Sequence, residues 1–494
     1  MSESPSTPPK GANDPACDLR LPAAEIDASL RWPVLFLFAS ATAWLLVSSI
    51  LWLVTSIKLG APGFLADCPW LTFGRVRPAA ANAFLYGFAS QAALGIMLWM
   101  LCRLGGNRFV FRVPVLIATK FWNLGVTIGV VAILAGASTG FEWLEMPRYA
   151  AVFLFVAYLV IGLCALATFQ MRRHCELYPS QWFLLAALFW FPWLYSAANY
   201  LLLLDPVRGT LQAAVNAWFT GNLTGLWLGP VALAGIYYFM PRLTGQPLYS
   251  LGLASFAFWT TLFLSGFAGF TGLLGGPVPR WMPAVSTAAN VCLLLPLACN
   301  AWNWHATNRP NCDAWKTSVL LRFIWFGAVC YLVAGVANAL LGFPNVAPKT
   351  NLTVLNIALK VLTLHGFVGA VSFGCAYYVL PRVAKVDWAQ EKLINVHFLC
   401  TAIGVALMVV GFGLAGISQA SKFANPSVPF VEAVKSPFLA LTTIGMLLLL
   451  LGQCAFAVNL VKLLRGVCVP VCRSFCSTVC GWMPGAVKAE AKPS

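Results

Sequence analysis

Twelve apolar blocks, each about twenty residues or longer, follow one another between residues 31 and 465. They lie near 31–58, 79–104, 113–137, 149–172, 181–205, 215–240, 250–274, 281–304, 318–342, 353–381, 392–418 and 434–465. A block of that length crosses a ~30 Å hydrocarbon layer as a helix. In lipid, only helices and closed barrels satisfy every backbone donor and acceptor. The expected fold is therefore all-α: a polytopic membrane protein with twelve transmembrane helices. Of the 494 residues, 60% are hydrophobic and 9% charged, whereas a soluble domain carries about 25% charged residues. Soluble enzymes and disordered chains are both excluded. Residues 1–30 read as a polar cytoplasmic tail without the pattern of a cleavable signal peptide, 31–465 as the twelve-helix domain, and 466–494 as a Cys-rich cytoplasmic tail.

Charge supplies the orientation. Net charge is +16, from 31 Lys+Arg against 15 Asp+Glu. On so apolar a chain this excess points to loop topology rather than to nucleic acid. The termini and even-numbered loops hold 20 basic residues, including Arg103, Arg172, Arg382 and Lys385; the odd-numbered loops hold nine. That bias places both termini in the cytoplasm, as an even helix number also requires. Tyr237-Tyr238-Phe239-Met240-Pro241-Arg242 closes the sixth block and Tyr377-Tyr378-Val379-Leu380-Pro381-Arg382 the tenth. Four blocks separate the copies, which suggests a repeated four-helix unit.

Chemistry inside a membrane needs buried ionisable groups or metal ligands. All 15 carboxylates fall in tails, loops or block ends, which counts against a proton- or cation-coupled transporter. Glu142 and Glu145 form the one tight acidic pair, on the outer side, either solvated or facing a cation or cofactor. Of four histidines, only His365 lies well inside a block. Lys120 and Lys360 also lie inside blocks, at a cost of roughly 2.5–3.5 kcal/mol each. With no acidic partner at matching depth, they are expected to face the bundle interior beside Asn123 or Asn356; snorkelling is the alternative, more so for Lys120. The cysteines are too dispersed for a disulfide framework, and many sit in apolar blocks, where they behave as small hydrophobes. Cys468, Cys472, Cys476 and Cys480 repeat every four residues, a straight stripe that cannot close a tetrahedral metal site. Pro470 argues against a helix there.

Several segments resemble, in order and over about residues 70–420, the catalytic subunit of cbb3-type cytochrome c oxidases of the haem-copper oxidase superfamily. Gly74-Arg75-Val76-Arg77-Pro78 with Asn82-Ala83 is similar to the start of that family's second helix. Trp218-Phe219-Thr220-Gly221-Asn222 through Arg242 is similar to its sixth, Leu248-Tyr249-Ser250-Leu251 with Phe258-Trp259 to its seventh, Ser372-Phe373-Gly374 through Arg382 to its tenth, and His397-Phe398 with Ala402-Ile403-Gly404 to its eleventh. The resemblance implies a subunit I-like bundle of three pseudo-repeated four-helix arcs. It also implies six histidine ligands for two haems and one copper. At the matching places this chain has Ala80, Gly221, Thr271, Gly272, Leu359 and Val361, and the family's cross-linked tyrosine falls on Ser265. Six histidines cannot be drawn from four. The expectation is no catalytic residue, no metal ligand and no cofactor, with haem b only if ligation is non-standard around His365, one helical turn from Val361.

The resemblance thus implies a bacterial inner-membrane protein beside a respiratory complex, without the dioxygen-reducing centre. Its partners would be the lipid bilayer and a c-type cytochrome or other respiratory subunit, with no nucleic acid. Two alternatives are an active terminal oxidase or nitric oxide reductase-like enzyme with non-standard ligation, and a small-molecule transporter on the same fold. Loss of two macrocycles leaves space that must be filled. Lys360 and His365 are expected to line it, with Ala80, Gly221 and Thr271 on its wall. Reporter fusions check the orientation: fusions at both termini should read cytoplasmic and one beside Glu142 periplasmic, and the reverse pattern would overturn the charge argument.

Overall fold

The computed structural model describes residues 21–174 and 176–482, with the backbone alone for 471–482. Twelve helices are long and apolar enough to span a membrane. We number them α1 (Ala23–Gly60), α2 (Phe73–Gly105), α3 (Arg112–Ala135), α4 (Arg148–Gln170), α5 (Pro179–Leu204), α6 (Leu211–Thr244), α7 (Leu251–Leu273), α8 (Trp281–Asn311), α9 (Val319–Leu341), α10 (Leu355–Ala384), α11 (Glu391–Phe423) and α12 (Leu439–Trp482). No strand occurs among the described residues. The boundary expected at 465 is not a break: α12 runs on through Pro470 to Trp482. The side chains of Cys472, Cys476 and Cys480, and most of the two tails, lie outside the described residues.

Three helices form the inside. The most apolar 18-residue stretch is 100% buried in α2, 89% in α6 and 78% in α10, against 28–56% in the other nine. Their small and polar residues explain why: without a hydrophobic drive between helices in lipid, close approach of Gly, Ala, Ser and Asn decides who packs inside.

The three inner helices end alike. Trp99, Arg103 and Gly106 on α2 repeat, with the same spacing, as Tyr238, Arg242 and Gly245 on α6 and as Tyr378, Arg382 and Lys385 on α10. Each Arg lies over the aromatic ring four residues earlier, at 5.5, 4.2 and 3.4 Å from the centroid. Each C′ residue is left-handed, with φ of 67°, 68° and 58°. The amide of that residue bonds back to Cys102, Pro241 or Pro381, which closes the helix. Tyr238 and Tyr378 both meet Trp99 edge-on, at 5.6 and 5.9 Å. Asp27 accepts from Trp99 Nε1 at 2.9 Å and faces Arg103. The copy on α2 has Trp for Tyr and no Pro, so the sequence pattern displays two copies where the structure has three.

A second shared feature sits further up the same helices. Residues 83–89 of α2, 223–228 of α6 and 362–369 of α10 form wide π turns at matching distances from the three caps. One inserted residue per π turn shifts which side chains face inward, and such turns gather at functional sites.

The bundle is closed by α11 against α12. A Cβ on Gly404 would sit 2.8 Å from the Gly445 carbonyl, and one on Gly445 would sit 2.7 Å from the Gly404 carbonyl. The two backbones touch, and no side chain larger than hydrogen fits either place. Gly445→Val should therefore cost about 1–3 kcal/mol by overpacking, read as an earlier thermal unfolding of the detergent-solubilised protein. An unchanged melting profile would show that α11 and α12 do not meet there.

Candidate functional site

At the end of the bundle opposite the three Arg caps, α2, α6, α7, α9, α10 and α11 part around one cavity of about 1630 Å³. Ordinary small-molecule pockets hold roughly 300–1,000 Å³. All three π turns border it, through Phe84, Thr224 and His365. Its α6 wall is made of small residues, among them Ala217, Gly221, Gly225 and Gly229.

The segment 136–147, between α3 and α4, turns back into this end of the bundle. Trp143, Leu144 and Met146 are buried, and Trp143 takes a left-handed φ of 61° that reverses the chain. Side chains from α2 and α6 hold the turn. Tyr86 Oη donates to the Trp143 carbonyl at 2.6 Å. Asn216 on α6 donates to the Glu142 carbonyl at 3.0 Å and accepts from its amide at 3.2 Å. Asn82 Nδ2 donates to Glu145 Oε2 at 2.7 Å.

This re-entry supplies the carboxylate that Lys360 was expected to lack. Lys360 Nζ and Glu142 Oε1 lie 2.5 Å apart, with Nζ also 5.7 Å from the Trp143 ring centroid. Asn356, the partner expected from sequence, instead donates to the Asn351 carbonyl at 3.0 Å. The carboxylates are not simply solvated either: Glu142 is paired, and Glu145 is mostly enclosed. Burial pushes the Glu145 carboxyl up to about 7; Glu142 adds to the rise, and the Asn82 hydrogen bond and Arg77 oppose it.

Lys120 does not face the interior. It is exposed on α3, while Asn123 is taken by Trp44 and Gln91 at 2.9 Å each. Eight residues from Arg112, Lys120 lies about 12 Å along the helix, within reach of the interface by its aliphatic stem.

Gly221, Thr271, Gly272, Leu359 and Val361 all border the cavity with Lys360 and His365, as does Ser265. Ala80 does not. It is fully buried, and its carbonyl accepts from Ser48 on α1 at 2.8 Å. Ala81 and Phe84, on the next face of the helix, border the cavity instead. A step of one residue turns a helical side chain by about 100°, and the π turn just beyond alters the register again. Sequence reasoning also missed Arg77, Asn82, Phe84 and Asn216 as site residues; for Asn82 and Asn216, a polar residue inside an apolar block was the available signal.

His365 is 7% exposed, and neither ring nitrogen has a hydrogen-bond partner among the described residues. Its ring stacks on Phe84 at 4.1 Å and 24°. His397 is buried elsewhere, with Nδ1 2.9 Å from Tyr377 Oη.

These donors do not fit a haem–copper pair. Among the described residues, no three His, Cys, Asp or Glu side chains converge. Gly221 has no room for a ligand: a Cβ there would lie 2.7 Å from the Gly269 Cα. The backbones of α6 and the 268–273 turn meet where an imidazole would have to stand.

Glu145 gives a measurable signature. A carboxyl whose pKa is raised from 4.5 to about 7 on folding binds its proton more tightly folded than unfolded. Its contribution is favourable at low pH and is lost as pH rises between those values. Glu145→Gln should flatten that fall, compared by thermal melts at about pH 4 and about pH 8. Equal slopes in the two proteins would contradict the buried placement.

A family model described as "Cytochrome C and Quinol oxidase polypeptide I" matches residues 33–448. A cytochrome c oxidase subunit 1 homolog of Azorhizobium caulinodans is 24% identical over 436 residues, covering 85% of this chain and 79% of the relative. The cbb3-type cytochrome c oxidase subunit CcoN1 of Stutzerimonas stutzeri is 23% identical over 433 residues, covering 84% and 91%. A heme-copper terminal oxidase dimer solved by cryo-EM superposes with a TM-score of 0.73 at 15% identity, over 88% of this chain and 84% of that one.

Proposed function

Since the chain belongs to the cytochrome c and quinol oxidase polypeptide I family, we propose that it is a cbb3-like subunit I homologue in a bacterial respiratory membrane complex, without the dioxygen-reducing haem–copper centre. It would act there as a membrane scaffold or partner subunit, with both termini cytoplasmic and the cavity end facing outward. A c-type cytochrome subunit or another respiratory subunit would be its neighbour; the Stutzerimonas relative is named as one subunit of a cytochrome c oxidase.

One observation carries this reading. Around the cavity, the places that correspond to the family's ligands hold Gly221, Thr271, Gly272, Leu359 and Val361, and the space for a ligand at Gly221 is closed by Gly269. None of those side chains is an imidazole, thiolate, thioether or phenolate of the kind that holds haem iron or copper. A scaffold role needs only the bundle, whose three inner helices are closed by the Arg and aromatic caps.

A second reading has its own observation. His365 borders the cavity with both ring nitrogens unpartnered, so a single haem held by His365 is the alternative. Metal analysis and a reduced-minus-oxidised spectrum of the purified chain decide between them. The proposal expects neither copper nor a haem band. One haem without copper, lost in His365→Ala, would favour the second reading. Stoichiometric copper with two haems would overturn both.

A further inference from the structure

The cavity carries more positive charge than its own carboxylates neutralise. A lysine ammonium has three N–H donors. Glu142 takes one from Lys360, whose side chain stays 35% exposed toward the cavity. Arg77 also borders the cavity, close enough to act on Glu145, yet its guanidinium makes no hydrogen bond or ion pair among the described residues. Lys349 also borders the cavity and is exposed. Against these three cations stand Glu142, already paired, and Glu145, whose burial favours its neutral form. Arg77, Glu145, Glu142 and Lys360 form one continuous patch, because each neighbours the next.

Further along the same helices, toward the Arg caps, the lining is apolar and ring-bearing. Phe84, Leu233, Leu364 and Phe367 border the cavity there, with Tyr331. His365 stands among them, 7% exposed, with both nitrogens unpartnered. A buried polar group left without a partner costs free energy comparable to a lost hydrogen bond. A ligand atom that accepts from or donates to this imidazole would remove that cost.

We propose that this cavity binds an amphipathic organic anion, its carboxylate on Lys360 and Arg77 and its apolar, ring-bearing body running toward Phe84 and His365. The inference rests on the reading above that no haem–copper centre fills the space. The absorbance spectrum of the same preparation tests that reading separately.

The probe is 1-pyrenebutyrate, with the neutral 1-pyrenebutanol as its control, followed by energy transfer from tryptophan in the detergent-solubilised full chain. Trp52 and Trp143 border the cavity and serve as donors. Partition into detergent gives a linear signal, whereas a site gives a saturable one. The acid should saturate and bind about tenfold or more tightly than the alcohol, as charge-assisted hydrogen bonds require. Arg77→Gln and the double change Glu142→Gln with Lys360→Met should each weaken the acid and leave the alcohol alone. The double change removes both charges together, so no orphan charge compromises folding, and an unchanged elution profile verifies this. Lys120→Met, on the exposed face of α3, should leave acid binding as it was. Equal binding of acid and alcohol by the native chain would overturn the proposal. So would full retention of the acid preference in both the Arg77 and the Glu142/Lys360 variants. In a haem-free preparation those outcomes sink this inference alone; a haem band would sink the reading beneath it.

Discussion

A lysine ammonium on an inner membrane helix must meet a counter-charge, and that requirement organises one whole end of this protein. Lys360 sits on α10, which is mostly enclosed by its neighbours. Five residues into that helix and with its side chain 35% exposed, the ammonium is only partly hydrated and gains from a counter-charge. The segment 136–147 brings Glu142 to it, and everything else in that segment follows from the return path. Trp143 has to take a left-handed backbone to reverse the chain. The turned-in amides and carbonyls then need partners away from water, which Tyr86, Asn216 and Thr139 provide. Glu145 is carried inward with the rest and needs Asn82. One charge thereby ties α2, α6 and α10 together at the end where they diverge most.

The other end of those helices is held by ring and guanidinium packing. Trp99, Tyr238 and Tyr378 meet at the centre, each beneath its own Arg. The triad is therefore tight where aromatic rings fill it and open where glycine and alanine line it. A core of small residues normally lets helices approach. Here approach is prevented on the cavity side by the inserted 136–147 segment, and the small residues leave a void in place of a contact. That void is the feature that a scaffold and a ligand-binding protein would use differently.

Much of the fold was legible in the sequence, because the length of an apolar block and the sign of its flanks are local properties. The twelve blocks correspond one to one with α1–α12. Their ends were less legible. The second block was drawn from 79, whereas α2 begins at Phe73, because Arg75 and Arg77 interrupt the hydropathy without interrupting the helix. The site was legible only in part. His365, Lys360 and the run from Gly221 to Thr271 are visible as departures from a familiar pattern. The Glu142–Lys360 pair is not, since 218 residues separate its members and no local rule says that a polar loop turns inward. Ala80 fails for a subtler reason: a shift of one residue in register is invisible in the alignment of motifs and decides which side chain meets the cavity.

The backbone contact between Gly221 and Gly269 has a consequence for the variation open to this chain. A Cβ at 221 would lie 2.7 Å from the Gly269 Cα, and one at 269 would lie 2.7 Å from the Ala217 carbonyl. Each glycine forbids a side chain at its own position as long as α6 and the 268–273 turn remain in contact. A substitution that placed any larger side chain at 221 would force these segments apart. The two positions are thus epistatic: neither can gain a side chain until the segment facing it has moved.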